Sequence, residues 1–146
     1  MRLSIFIMIS FLISSDLIGQ ETKLVTKYFH NSKQIMEEYY VLTNDANIKH
    51  GEYIQYYRTS DKNNDKNISK RGFYYNNQLD SIWIYYGFRP GYCLINKEEI
   101  YKRGKKVGIW KTYIESGSVI KRFDYDLNKE IEPLCRAFIN YPAMAQ

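Results

Sequence analysis

The stretch Tyr101-Lys102-Arg103-Gly104-Lys105-Lys106-Val107-Gly108-Ile109-Trp110-Lys111-Thr112-Tyr113 reads as two strands about a tight turn. Gly104 tolerates the positive φ that a hairpin turn demands, and the flanking aromatic and β-branched residues suit a pleated surface. Alignment of the chain on Gly108 shows that the unit recurs. Gly51 and Ser81 are the matching small residues. Two positions after these anchors stand Tyr53, Trp83 and Trp110, and five positions after them Tyr56, Tyr86 and Tyr113. Four positions before them stand Asn47, Asn77 and Gly104. Asn128 begins a further copy, preceded at three positions by Tyr125 as Gly104 is by Tyr101 and Asn77 by Tyr74. Glu132 and Pro133 then fall where the next anchor would be, which ends the array.

Turn residues 47, 77, 104 and 128 are separated by 30, 27 and 24 positions. With 24 as the unit, the first two copies carry insertions. Their expected places are the polar segment 58–67 and the segment Phe88-Arg89-Pro90-Gly91-Tyr92-Cys93, both read as loops. Strands are expected before each turn, over 34–43, 68–76, 94–102 and 119–126, and after the first three, over 52–58, 82–87 and 109–114. The copies therefore run roughly 34–58, 68–87, 94–114 and 119–131. A small anchor residue makes room for a neighbouring hairpin strand. The aromatics two and five positions on differ by three and so point to opposite faces, one into the core. The expected fold is all-β: an elongated, twisted antiparallel sheet of about four hairpins that stabilise one another by stacking. Residues 20–31 lead in, and 132–146 close one end.

The segment Lys49-His50-Gly51-Glu52-Tyr53-Ile54-Gln55-Tyr56-Tyr57, together with 101–113, resembles the MORN-repeat variant. The likeness covers about residues 34–130. The second copy departs from it, with Ser81 and Asn77 where that family carries glycine. The resemblance implies repeated β-hairpins and a binding or scaffolding role without catalytic residues. Bacterial proteins of this kind are often labelled antitoxin components, so neutralisation of a toxin is an alternative function.

The N-terminus carries Arg2 and then an apolar run through Ile13, ended by Ser14, Ser15 and Asp16. The run falls short of the ~20 residues that span a bilayer. It reads as a secretory signal, residues 1–19, cleaved near Gly19 and Gln20. The remainder, 20–146, is a single domain, expected in the periplasm or outside the cell with no membrane span after cleavage. Of 146 residues, 15 are Tyr and 7 Phe, and the formal charge is +5. That basicity suits anionic partners. For an exported chain these are envelope components or proteins rather than nucleic acid. Lys102, Arg103, Lys105 and Lys106, flanked by Tyr101, form the candidate binding surface at one hairpin tip.

Catalytic chemistry finds little support. His30 and His50 lack metal-binding spacing, and no nucleophile elbow or phosphate loop occurs. Residues 61–67 imitate half a calcium loop, but Lys66 stands where it needs glycine and Gly72 where it needs glutamate. No cofactor or metal is therefore expected. An alternative reading is a small hydrolase of envelope polymers using Glu98, Glu99, Asp124 or Asp126, although these alternate with Lys97, Lys121 and Arg122 as on a solvated sheet face. Cys93 and Cys135 stand 42 positions apart with no CxxC. In an oxidising compartment they form either a disulfide or two separate thiols, and spacing does not decide between them.

Overall fold

The computed structural model describes residues 20–59, 67–89 and 92–132, with the side chains of residues 89, 92 and 93 left aside. The expected signal segment and Cys135 lie outside the described residues, as does the half calcium loop apart from Asn67. The strands are β1 (Thr22–Tyr28), β2 (Ile35–Leu42), β3 (Lys49–Tyr56), β4 (Ile68–Tyr75), β5 (Gln78–Arg89), β6 (Tyr92–Lys102), β7 (Lys105–Lys106), β8 (Ile109–Tyr113), β9 (Val119–Asp124) and β10 (Lys129–Ile131). They form one open antiparallel sheet in the order β1-β2-β3-β4-β5-β6-β8-β9-β10, with the short β7 paired to β6. Each strand thus pairs with its sequence neighbour, as hairpins require. At ~4.8 Å per strand step, the sheet spans roughly 40 Å from β1 to β10.

The hairpin turns sit where the repeat places them. Asn76, Asn77, Arg103, Gly104 and Asn128 all adopt positive φ. Asn47 also lies in a turn, but without positive φ: its amide donates to Asp45 Oδ1 at 2.9 Å, an Asx turn that shapes the chain through a side chain. The anchors are small on two counts: a Cβ on Gly51 would stand 3.0 Å from Tyr40 Cβ on the neighbouring strand, the expected close approach, and all three anchors take positive φ. Gly51, Ser81 and Gly108 have φ of 120°, 59° and 61°, a region L-residues avoid.

Three segments differ from expectation, the smallest being β10, a strand after the fourth turn where none was expected. Phe88–Cys93 is not a loop: β5 continues to Arg89 and β6 begins at Tyr92, with Phe88 opposite Cys93 and Arg89 opposite Tyr92. Phenylalanine, tyrosine and cysteine carry no obstacle to pairing, and residues 90 and 91 alone separate the strands. The lead-in forms a full edge strand, β1, in register with β2 from Thr22 opposite Leu42 onward. Its Leu24, Val25 and Thr26 are ordinary strand formers that lie outside the repeat and its columns.

The second copy is joined to the first, and the third to the second, by equivalent bonds. The turn amide of Asn77 donates to Lys49 O at 2.9 Å, and that of Gly104 to Leu79 O at 2.7 Å. The indole Nε1 of Trp83 donates to Phe73 O at 3.1 Å, and that of Trp110 to Ile100 O at 3.1 Å. A buried indole needs such an acceptor.

One face of the sheet holds the core. Tyr39, Val41, Tyr53 and Trp83 are buried there, with Val25, Tyr74, Leu79, Tyr85 and Tyr101 packed against them. Trp83 is 1% exposed and lies over Gly72, where a Cβ would come within 2.3 Å of the ring. Tyr53 stacks at 5.6 Å on Trp83 and meets the edge of Tyr74 at 5.6 Å. Tyr56 is buried on the opposite face, where its hydroxyl donates to Glu38 Oε2 at 2.6 Å, while Tyr53 donates to the adjacent Glu37. Residues three apart thus face opposite sides. In the other copies the columns are less covered: Trp110, Tyr86 and Tyr113 are half-buried.

Candidate binding face

Cross-strand register lines up three rows on the core face. Tyr39, Tyr53, Gly72, Trp83, Glu99, Trp110 and Phe123 occupy the middle row. Beside it run Lys27, Glu37, Gln55, Lys70, Tyr85, Lys97, Thr112 and Lys121, each opposite the next. On the other side lie Tyr74, Tyr101 and Tyr125. A repeated Lys-x-x-x-Tyr therefore falls on alternate strands of the array: Lys70 with Tyr74, Lys97 with Tyr101, and Lys121 with Tyr125. The lysine column was legible once the chain was aligned on those tyrosines. Alignment on the turns shows it equally, since each lysine stands seven positions before Asn77, Gly104 or Asn128.

The lysines lie on aromatic rings. Lys49 sits over Tyr39, Tyr53 and Tyr74 at 4.5, 5.0 and 5.2 Å from their centroids. Lys106 lies 4.7 Å from Trp110 and 5.1 Å from Tyr125, and Lys97 4.6 Å from Tyr85. Lys49 and Lys106 both stand two positions before an anchor, and Leu79 fills that position in the second copy. Lysine stems and leucine cover rings alike, while the ammonium adds a cation–π attraction.

Two carboxylates are embedded in this face. Glu99 is 3% exposed; its Oε2 accepts from Tyr85 at 2.8 Å and Tyr101 at 2.9 Å, and its Oε1 meets Lys97 Nζ at 2.5 Å. Burial works against its charge, but the bonds from Lys97, Tyr85 and Tyr101 outweigh it and hold the carboxyl below its ordinary pKa. Glu37 is held low in the same way against burial, by Tyr53 and Lys27 at 2.7 and 2.9 Å. Burial first, and then these carboxylate bonds, push the phenols of Tyr53, Tyr85 and Tyr101 well above the usual tyrosine range.

The basic residues of the tip cluster are all exposed, but two of its members are engaged with the core face. Tyr101 is tied into the Glu99 network, and Lys106 lies on Trp110. Lys102, Arg103, Lys105 and Lys106 are all exposed, with Arg103 5.1 Å from the Tyr75 ring. The four carboxylates weighed for hydrolysis are dispersed. Glu98 pairs with Lys111 at 3.0 Å, whereas its neighbour Glu99 points to the other face. Asp124 accepts from the amides of Asp126 and Leu127, and Asp126 from Gly108 N. Among the described residues no group of three His, Cys, Asp or Glu is placed to hold a metal ion. Among them, too, no helix is long and apolar enough to cross a membrane.

No protein-family profile matches the chain, and no curated protein matches it. Among solved structures it is similar to the entity titled "Crystal Structure of TarM", at 14% identity and a TM-score of 0.36. That match covers 74% of this chain and 21% of the other, so the chain spans about a fifth of its length.

Proposed function

We propose that the chain is an exported, non-catalytic repeat module that binds an anionic partner at the cell envelope through the lysine- and aromatic-lined face. The observation that carries this reading is the recurrence of Lys70, Lys97 and Lys121 in one row, beside a row of rings, on strands two apart. The MORN-like repeat and the leader point to binding and to export. The engagement of Glu98, Glu99, Asp124 and Asp126 with structural partners weighs against carboxylate catalysis.

Co-sedimentation of the purified protein with isolated envelope tests the reading. The wild type is expected to co-sediment, less so as salt rises, because screening weakens attraction between exposed charges. Lys70→Ala combined with Lys121→Ala is expected to reduce it, while Lys102→Ala combined with Lys105→Ala leaves it nearly intact. Turnover of an envelope polymer that disappears with Glu98→Gln or Asp126→Asn would overturn the non-catalytic reading.

A further inference from the structure

The row that carries Lys97 and Lys121 opens into a hollow between β6, β8 and β9. It measures about 170 Å³ and is lined by Lys97, Thr112, Lys121, Trp110, Phe123 and Tyr125. Its origin lies in a single repeat position. Four residues after the anchor the second copy has Tyr85, whose ring fills the row and whose hydroxyl bonds Glu99. The third copy has Thr112 there, so the space over the strand stays open between two lysines.

We propose that this hollow seats one acidic sugar ring of a linear anionic polysaccharide, a deepening that rests on the binding-module reading above. The chemistry of the lining selects for that class. Trp110, Phe123 and Tyr125 lie in one cluster, with ring centroids 4.4 and 4.7 Å apart, and give the hollow an apolar wall for the C–H side of a pyranose, with Lys106 over Trp110 and Tyr125 as a further ammonium beside it. Thr112 supplies a hydroxyl for a ring hydroxyl. Lys121, exposed and only loosely paired with Glu130 at 3.6 Å, supplies the ammonium for a carboxylate. Lys97 is already matched by Glu99 and fixes the wall rather than the charge. The size fits a single ring, since sites for drug-sized ligands run to roughly 300–1,000 Å³. Lysines 70, 97 and 121 recur every second strand, a step of about 10 Å. The next sugars of a polymer crossing the strands would meet the same lysine row.

Tryptophan fluorescence titration with oligogalacturonate tests this, because Trp110 borders the hollow while Trp83 is buried. Unesterified oligomer is expected to bind, with the signal lost in Trp110→Phe. Fully methyl-esterified oligomer and polyglutamate are expected to bind at least about tenfold more weakly, lacking the charge and the ring respectively. Lys121→Ala, at an exposed position, is expected to weaken binding about tenfold, and Thr112→Tyr, which restores the residue of the second copy, to abolish it. The denaturation midpoint of each variant confirms that it is folded. Equal binding of polyglutamate, full binding by Thr112→Tyr, or no binding of oligogalacturonate by the wild type would each overturn the assignment of the hollow. Envelope co-sedimentation that persists in Thr112→Tyr yet falls with the Lys70 and Lys121 double variant would leave the binding-module reading standing without it.

Discussion

Placing a methyl group on Gly72 perturbs the sheet at its tightest point. An added Cβ would stand 2.3, 2.4 and 2.6 Å from three atoms of the Trp83 indole, closer than carbon atoms approach without displacement. Gly72 lies outside the left-handed region, so the penalty comes from the clash and not from the backbone. The indole has nowhere to retreat: it is 1% exposed, its Nε1 is held by Phe73 O, and Tyr53 and Tyr74 pack against it at 5.6 and 5.1 Å. Overpacking of this kind costs about 1–3 kcal/mol, with the upper end expected here. Trp83→Ala alone is expected to cost about 3–5 kcal/mol, as deletion of a buried ring does. The informative measurement is the double-mutant cycle. With the ring gone, Gly72→Ala loses its clash and gains roughly 0.4–1 kcal/mol from a stiffer unfolded chain. The coupling between the two sites is then about 3.5–4 kcal/mol, somewhat above the range usual for residues in contact. Urea denaturation followed by far-ultraviolet circular dichroism reads it without depending on either tryptophan. If Gly72→Ala costs as much in the Trp83→Ala background as in the wild type, the packing argument is wrong.

Further outcomes follow from the same geometry. Trp110→Ala is expected to cost about 1–2 kcal/mol less than Trp83→Ala, since its ring is half-buried; equal losses in urea denaturation would contradict that ranking. Ser81→Gly is expected to stabilise by about 1 kcal/mol by relieving a left-handed φ of 59°, and a lower melting temperature would count against it. Glu99→Leu is expected to cost about 2 kcal/mol by stranding Lys97 and two phenols, discounted because Lys97 is partly exposed, and an unchanged midpoint would refute the network. Stability should also fall at both ends of the pH scale. The carboxyls of Glu37 and Glu99 sit lower folded than unfolded, so their contribution is present above about pH 4.3 and is lost as pH drops through their folded values. The raised phenols of Tyr53, Tyr85 and Tyr101 contribute below about pH 10 and lose that contribution as pH rises beyond it. Denaturation midpoints that stay level from acid to alkali would sink both assignments.

What the sequence made legible was local. Asn77, Gly104 and Asn128 announce turns through a backbone conformation that few residues accept, and the strands between them follow from composition. Tyr53 and Trp83 could be placed in the core because their column repeats. The lysine row was present in the spacing, seven positions before Asn77, Gly104 and Asn128, but its meaning depends on register across strands, which sets it beside the rings and opposite Tyr85 and Thr112. The tip cluster holds a distinction that adjacency in sequence hides. Lys105 and Lys106 are adjacent in sequence and both exposed, yet pleating lays Lys106 over Trp110 and turns Lys105 to the other side. Edge strand β1 lies outside the repeat and had no column to reveal it. The hollow, finally, depends on Thr112 being smaller than Tyr85, a difference that alignment records as a mismatch rather than as a site.

Lysine acetylation rates, mapped by mass spectrometry with and without isolated envelope, test the central claim most directly. Binding through the aromatic face predicts that Lys70 and Lys121 become protected by severalfold while Lys102, Lys105 and Lys111 react at unchanged rates. Protection centred on the tip, or on Lys111 across the sheet, with Lys70 and Lys121 still reactive, would contradict it.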